Sequence, residues 1–208
     1  MPAEALERLL EGNRRHVSSM PTLDESEFRR IQVARGQRPF AAVFGCVDSR
    51  VPPEIIFDQG LGDLLVIRTA GQVVDKAVLG SLEFGVAELD IPVVVVLGHE
   101  RCGAVKAAME VLERHGHAEA EIDYLVGALQ PAIHKARVAG DNVWDNAARA
   151  HIEYVVDQLG RSAILGKAVQ NGALRIVPAW YDLDTGIVEM GEGSVAATST
   201  NQSICPRA

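Results

Sequence analysis

Two short, strongly apolar runs constrain the fold of this 208-residue chain more than any other feature. Residues 40–44 and 93–97 are rich in valine and phenylalanine, and each run is followed by glycine. Runs of this length and composition are typical of strands that are buried on both faces of a parallel sheet. Ligands of such sheets bind at the carboxyl ends of the strands, so the residues after each run are the first candidates for a functional site.

The remaining pattern predicts an α/β fold with a mostly parallel central β-sheet flanked by helices. Residues 64–69 form a third apolar run, and helical spacing over 75–89 predicts a right-handed crossover helix that leaves this run and the run 93–97 as paired parallel strands. The runs 173–180 and 187–190 flank the turn signal at 184–186, which predicts a hairpin that adds an antiparallel edge strand. Further helices are predicted over residues 104–114, 121–138, 141–159 and 162–169.

The start of the chain predicts a helical arm. In residues 3–18 the leucines lie on one side of a helix and the charges on the other, which is typical of a helix that docks on an apolar surface. Because this helix precedes the first strand, we expect residues 1–35 to form an arm that reaches outward from a single domain spanning 1–208. The polar end, residues 199–208, is expected to be a flexible tail.

Charge and composition exclude several classes of protein. The chain has 20 Lys and Arg against 28 Asp and Glu, a net charge of −8, whereas a nucleic-acid partner would need a concentrated basic surface. Its start lacks a basic segment followed by an apolar stretch, and its apolar runs are too short to span a bilayer. We therefore expect a cytoplasmic protein that binds neither nucleic acid nor membrane. In a reducing cytosol, its three cysteines are better explained as metal ligands or buried thiols than as disulfides.

Cys46, His99 and Cys102 form a candidate zinc site. Thiolate sulfur and imidazole nitrogen are preferred zinc ligands, and a site with three protein ligands keeps its fourth position for water or substrate. His99 and Cys102 are separated by two residues, while Cys46 arrives from a neighbouring strand. Each residue alone is more often a buried core residue than a ligand, so the prediction depends on the combination. The third cysteine, Cys205, is expected to take no part.

Asp48 and Arg50 are a second candidate pair. An arginine fork matches a carboxylate bidentately, and both side chains point to the same side if the segment after Cys46 stays extended. One interpretation is an ordinary ion pair that stabilises a loop. The other is that Arg50 holds Asp48 ionised and away from the metal, because an aspartate in a partly buried metal site must be paired, coordinated or protonated.

The strings Cys46-Val47-Asp48-Ser49-Arg50 and Gly98-His99-Glu100-Arg101-Cys102-Gly103 together resemble the paired signatures of the β-class carbonic anhydrases. The resemblance continues through residues 65–72 and 179–186, and so covers nearly the whole chain. It implies reversible hydration of carbon dioxide to bicarbonate and a proton, with one zinc ion per subunit. It also implies a homodimer with the active site at the subunit interface, paired into a tetramer. The N-terminal helices would embrace the partner, giving residues 3–18 a docking surface that they lack within one chain.

The resemblance also implies roles for single residues. Cys46, His99 and Cys102 correspond to the zinc ligands, and Asp48 with Arg50 to the catalytic pair. Val43 stands where bicarbonate-regulated members carry tryptophan, so the resemblance places this chain in the open-site subclass without that regulation. The implied substrate pocket consists of Gln37 from the neighbouring subunit, which hydrogen-bonds the substrate, and an apolar wall of Leu65, Ala70 and Phe84.

In the expected mechanism, Asp48 accepts the hydrogen of zinc-bound hydroxide and so directs an oxygen lone pair at carbon dioxide. Two alternatives to this function remain open from the sequence. The same architecture also serves hydrolases of carbonyl sulfide or carbon disulfide. A noncatalytic zinc or thiol-sensing module would instead use Asp48 as a fourth ligand, and this closed site would also suit a reversible off state at low pH.

Overall fold

The central sheet of the protein is mostly parallel, as the sequence predicted. A computed structural model describes residues 1–139 and 142–193. The strands are β1 (Ala41–Cys46), β2 (Leu64–Thr69), β3 (Val93–His99), β4 (Arg175–Tyr181) and β5 (Val188–Met190). They form one five-stranded sheet in the order β2-β1-β3-β4-β5. The first four strands are parallel, and β5 runs antiparallel to β4 at the edge, which confirms the predicted fold class. The expected direct pairing of β2 with β3 was wrong, because β1 lies between them.

Helices connect these strands largely as predicted. Four predicted helices, those over 75–89, 104–114, 121–138 and 162–169, are confirmed to within one residue at each end. Asp75 caps the crossover helix by accepting a hydrogen bond from the Val78 amide, and Pro131 lies inside its helix without ending it. The described helices are α1 (Pro2–Val17), α2 (Glu27–Val33), α3 (Pro53–Ile56), α4 (Lys76–Glu88), α5 (Gly103–Glu113), α6 (Ile122–Ala139), α7 (Val143–Gly160) and α8 (Ala163–Gln170), with a 3-10 turn at Ala70–Gln72.

Helices cover both faces of the sheet, which explains why its central strands are apolar throughout. Every residue of β1 and β3 is buried. Successive side chains of a strand point to opposite faces, so Phe44 and Val96 enter the core beneath α4, α6 and α7. Val43 and Val95 enter the second core, beneath α1 and α3. Each such side chain contributes roughly 1.5–3 kcal/mol through burial, so the two faces together hold the strands in register.

Gly98 lets helix α7 approach the carboxyl end of β3. A Cβ atom at this position would lie 2.1 Å from Cδ1 of Ile152 in α7, closer than any side chain could tolerate. The glycine therefore allows α7 to pack directly behind the end of β3, next to His99. This contact fixes one wall of the region where the predicted metal ligands lie.

Helix α1 corrects one expectation, because it docks on its own chain. Ala5 and Leu9 are buried in the core that α1 shares with β1, β3 and α3. Asn13 donates hydrogen bonds to the backbone oxygens of Ile56 and Gly186, at 3.2 and 2.9 Å. The apolar stripe of residues 3–18 was therefore interpreted correctly, but the expected lack of a docking surface within the chain was wrong. That surface is the sheet face beside α3, which only the folded chain assembles.

Helix α2 is the part of the arm that faces outward. The sequence pattern did not predict it as a separate helix. It has no buried residue, and Phe28 and Ile31 on it are 69% and 56% exposed. Apolar side chains of this size gain free energy from burial, so α2 offers an apolar surface that this chain leaves uncovered.

Some predictions fall outside the described residues. The expected tail at 199–208 and the bystander role of Cys205 both lie there. None of the helices within 1–139 and 142–193 combines the length and the apolar character needed to cross a membrane. The organisation as one domain with an arm over 1–35 stays a prediction.

Asp58 lies just after α3. It connects this part of the chain to the end of α1 and to the residues that follow α1. Its fully buried carboxylate accepts hydrogen bonds from Nε of Arg15 (2.5 Å), from the amide and hydroxyl of Thr22 and from the amide of Leu23. Burial alone would raise the pKa of Asp58, but these hydrogen bonds outweigh it and hold the pKa below its usual value. Its stabilising contribution is therefore complete above the unfolded-state pKa of about 4, and is lost as pH falls from there through the lower folded-state value.

Replacing Asp58 by alanine should lower the free energy of unfolding by about 2–4 kcal/mol, because Arg15 and two backbone amides lose their buried acceptor. Urea unfolding at neutral pH measures this change. Glu54→Ala, at an exposed position of α3, is the matched control and should stay within about 0.5 kcal/mol of the unaltered protein. Similar small effects of both substitutions would show that Asp58 does not anchor the arm.

Candidate metal centre

Three side chains that commonly bind metals meet at the carboxyl edge of the sheet. Cys46 is the last residue of β1, His99 is the last residue of β3, and Cys102 caps the start of α5. Because β1 and β3 are neighbouring parallel strands, their ends lie side by side. The structure therefore brings together the three residues that the sequence predicted as ligands, and all three are buried.

Distances within this group suit a single metal ion. One ligand atom from each residue lies within 4.8 Å of the other two, and the two Sγ atoms are 4.0 Å apart. Nδ1 of His99 is 2.8 Å from the backbone oxygen of Glu100. A carbonyl oxygen can only accept, so Nδ1 carries the hydrogen and Nε2 presents a lone pair. This is the tautomer that a metal ligand needs.

Nε2 of His99 is buried and has no hydrogen-bond partner among the described residues. A buried polar atom without a partner is costly and rare in folded proteins. A metal ion bound to the lone pair of Nε2 would satisfy this atom. The tautomer and the missing partner both indicate that the histidine is arranged for a metal.

The two cysteines cannot both ionise easily without a cation. Hydrogen bonding to Cys102 lowers the pKa of Cys46 to about 4 against the effect of burial, with help from His99 and the Gly71 amide. The hydrogen bond with Cys46 and, after it, burial raise the pKa of Cys102. Two adjacent buried thiolates repel each other, and a divalent cation removes that repulsion. The donor set of two sulfurs and one imidazole nitrogen therefore fits zinc.

The turn at Ala70–Gln72 supports Cys46 from the side. The Gly71 amide donates to Sγ of Cys46 at 3.4 Å. Gly71 has φ 65°, a left-handed conformation in which glycine alone avoids strain. In this conformation the Gly71 amide points at the sulfur of Cys46. Beside it, the Gln72 side chain donates to the Leu97 backbone oxygen and ties the turn to β3.

Asp48 and Arg50 form a bidentate ion pair beside the ligands. Nε and Nη2 of Arg50 lie 2.9 and 2.8 Å from the two carboxylate oxygens of Asp48, and the Arg50 amide also donates to Oδ1. The backbone does not stay extended here but turns, with the Val51 amide donating to the Asp48 carbonyl, and the pair forms within this turn. The Arg50 hydrogen bonds lower the pKa of Asp48 to about 2. Its Oδ2 is 3.9 Å from Nε2 of His99, which places an ionised carboxylate next to the ligand atoms.

An apolar cavity of about 390 Å³ opens beside the ligands. Cys46, Asp48 and Ala70 line one part of it. The remaining wall comes mainly from α5 and α6, through Ala104, Ala107, Ala108, Val111, Leu125 and Val126. A small apolar molecule could therefore lie next to the candidate metal position.

The other predicted substrate residues lie elsewhere within this chain. Leu65 faces α4, where a Cβ atom on Gly85 would lie 2.5 Å from its Cδ2. Phe84 on α4 is 52% exposed, and Gln37 is exposed in the segment before β1. A single chain therefore brings only Ala70, of the four predicted substrate residues, to the cavity.

Arg68 is a residue of the site that sequence reasoning missed. Its Nε donates to the Cys46 backbone oxygen at 2.8 Å, and its Nη2 donates to the Asp48 backbone oxygen at 2.6 Å. One guanidinium group therefore holds the backbone on both sides of Val47. The available sequence signal was a charged residue inside the apolar run of β2. In the folded sheet this arginine pairs in register with Gly45 of β1.

Comparisons with known proteins agree with this geometry. The family model described as carbonic anhydrase matches residues 41–188. Carbonic anhydrase 2 of Mycobacterium tuberculosis is 42% identical over 187 residues, which cover 89% of this chain and 90% of that protein. A solved β-carbonic anhydrase of Coccomyxa, in complex with acetazolamide, gives a TM-score of 0.71 at 28% identity and covers 88% of this chain and 85% of that one.

A more distant solved structure supports the fold alone. One of two tetrameric β-carbonic anhydrases from Sordaria macrospora gives a TM-score of 0.73 at 23% identity. The match covers 80% of this chain and 87% of that chain. The mostly parallel sheet with one antiparallel edge strand is therefore shared with solved proteins of low sequence similarity.

Replacing Arg68 by lysine should speed zinc loss about tenfold, because a lysine has no planar fork to hold the Cys46 and Asp48 carbonyl oxygens together. Transfer of zinc from the loaded protein to a chromophoric chelator measures the rate. Arg114→Lys, at an exposed position beyond α5, is the matched control and should leave the rate unchanged. Equal rates in the two variants would remove Arg68 from the support of the site.

Proposed function

This chain belongs to the carbonic anhydrase family, in its β class, and we propose that it hydrates carbon dioxide reversibly to bicarbonate with one zinc ion held by Cys46, His99 and Cys102. The main support is the convergence of two thiols and a lone-pair nitrogen beside an ionised carboxylate and an apolar cavity. Bound by these ligands, zinc would acidify water and so supply the nucleophile, but less strongly than at an all-histidine site, because two thiolates cancel its charge.

Asp48 orients the attacking oxygen in this proposal. Its pKa of about 2 keeps the carboxylate ionised at neutral and alkaline pH, so it acts only as a hydrogen-bond acceptor. A nucleophile that donates its hydrogen to Asp48 has its remaining lone pairs free for carbon dioxide. Fixing this orientation lowers the entropic part of the barrier.

Arg50 keeps Asp48 available for that role. Its fork occupies both carboxylate oxygens of Asp48, which opposes coordination of the carboxylate to the metal. The fourth position is thereby kept for water and substrate. The closed arrangement, with Asp48 as a ligand, would require this bidentate pair to break.

The apolar cavity suits the substrate better than the product. Carbon dioxide carries no charge and loses little by leaving water, whereas the bicarbonate anion is costly to hold against alanine and valine side chains. The wall formed by α5 and α6 therefore favours entry of the gas and release of the anion. Ala70 lines the other part of the cavity, together with Cys46.

We propose that the complete site forms in a homodimer, which would pair into a tetramer. Edge strand β2 is only partly buried, and Phe84 beside it is half exposed. Phe28 and Ile31 on α2 add uncovered apolar surface at the arm. A partner that covers these surfaces would bring its Gln37 to the cavity of this chain, where the side-chain amide can hydrogen-bond the substrate.

The relatives named above are carbonic anhydrases. They therefore support neither hydrolysis of carbonyl sulfide or carbon disulfide nor a noncatalytic sensing module. The proposed location is the cytoplasm, and the proposed partners are carbon dioxide, bicarbonate and further copies of the chain. The residues assigned to the metal, to the catalytic pair and to the substrate pocket belong to this proposal.

Asp48→Asn should retain about one zinc ion per chain but lose at least about 100-fold in kcat for carbon dioxide hydration, because an amide can donate where a pure acceptor is needed. Metal content and stopped-flow hydration rates are measured on the same sample. Asp182→Asn, at the turn before β5, removes a carboxylate outside the cavity and should leave kcat unchanged. Full activity of Asp48→Asn would exclude the orienting role, and an unaltered protein that binds no zinc would contradict the proposed cofactor.

Two damaged variants should restore each other if Gln37 acts across the interface. Gln37→Ala and Asp48→Asn are each expected to be poorly active. In a mixed dimer, one site combines an intact Asp48 with an intact Gln37 from the other subunit. Random exchange of subunits would make about a quarter of all sites intact, and activity should recover to that level. Mixing with no recovery, despite exchange verified by mass spectrometry, would show that Gln37 does not act in trans.

A further inference from the structure

The short loop that joins two of the proposed ligands contains an unfavourable backbone conformation. Glu100 and Arg101 connect His99 to Cys102. Arg101 has φ 50°, a left-handed conformation that costs free energy in a residue other than glycine. Surrounding structure must therefore hold this backbone in place. The Glu100 amide, which donates to the Tyr181 carbonyl of β4, fixes the first half of the loop.

Trp144, in the first turn of α7, fixes the second half. Its indole Nε1 donates to the Cys102 backbone oxygen at 2.8 Å. The ammonium group of Lys106 lies 5.6 Å from the centre of the Trp144 ring, a cation–π contact with the first turn of α5. One side chain therefore touches both the loop that carries Cys102 and the helix that follows it.

Asp145, the next residue of α7, binds the same loop one residue earlier. Its Oδ1 accepts a hydrogen bond from the Arg101 amide at 3.1 Å, next to the left-handed peptide. Its Oδ2 accepts from Nδ2 of Asn142, the residue that caps α7. Because the second oxygen is held by the helix cap, Asp145 presents the first oxygen in a fixed position.

Helix α7 can transmit this support because it is itself fixed to the sheet. Ile152, two turns further along, packs against Gly98 at the end of β3. The start of α7 holds the loop after His99, and its middle packs against the strand before His99. The same rigid helix therefore defines the position of Cys102 relative to His99.

We propose that Trp144 and Asp145 are positioning residues of the metal centre, which hold the Arg101 amide and the Cys102 carbonyl so that the Cys102 sulfur stays in place for the metal. This inference rests on the proposed zinc site. Residues at the start of α7, which are neither ligands nor members of the catalytic pair, would therefore help to retain the metal. Groups that hold metal ligands in place typically contribute about 10–100-fold to metal affinity.

The test measures zinc dissociation from the full-length, zinc-loaded protein with a chromophoric chelator. Trp144→Phe keeps an aromatic ring but removes the indole donor, and should speed zinc loss about tenfold. Asp145→Ala should have a similar effect, whereas Asp145→Asn keeps an oxygen acceptor for the Arg101 amide but loses the acceptor for Nδ2 of Asn142, and should give a rate between those of Asp145→Ala and the unaltered protein. Asp157→Ala, which removes an exposed carboxylate from the same helix, is the control and should leave the rate unchanged.

Two further measurements separate positioning from general stability. Thermal unfolding of the metal-free proteins should change little, and the charge-transfer absorption of cobalt(II)-substituted Trp144→Phe should shift because its thiolate geometry changes. Reduced stability of the metal-free variants with an unchanged zinc dissociation rate would overturn the proposal, as would an Asp145→Asn variant that behaves like Asp145→Ala. An unaltered protein that binds no zinc would overturn this inference together with the proposed function. Zinc binding with normal retention in every variant would overturn this inference alone.

Discussion

The parallel pairing of β1 with β3 is the constraint on which the metal centre depends. Neighbouring parallel strands end at the same edge of a sheet, so residues far apart in the sequence become adjacent there. Cys46 and His99 occupy those two ends, and Cys102 follows a short loop later. A slip of one residue in either strand would turn its core side chains to the wrong face, so burial of the strands also protects the geometry of the ligands.

The burial of ionisable side chains at this edge of the sheet favours the binding of a divalent cation. Two thiols lie 4.0 Å apart, and a histidine nitrogen beside them has no partner among the described residues. Such a group is unfavourable by itself and becomes favourable around a divalent cation. The neighbouring carboxylate of Asp48 is kept out of that group by Arg50. Electrostatics therefore separates these residues into a cluster that could hold a metal ion and an ionised carboxylate beside it.

Support for the ligands comes from several elements at once. Arg68 on β2 holds the backbone around Val47, and the turn at Ala70–Gln72 aims an amide at Cys46. The first turn of α7 holds the loop before Cys102 from the other side. These contacts use backbone carbonyls and amides, which every residue has, so the ligand signature does not reveal them. Their donors and acceptors become identifiable only when the elements pack together.

The sequence by itself predicted the mostly parallel sheet, most of its helices and the three residues that meet as a candidate metal cluster. Short apolar runs and helical spacing are local properties, and Cys46, His99 and Cys102 lie shortly after two of these runs, so no long-range contact was needed to find them. The tertiary structure alone decided where α1 docks, that α2 faces outward, and that Arg68 and Trp144 reach the ligand backbone. It also separated Ala70, which lines the cavity, from Leu65 and Phe84, which do not face it in one chain. The physical reason is that a side chain's partners are set by packing between distant segments, whereas its local conformation is set by its neighbours in the chain.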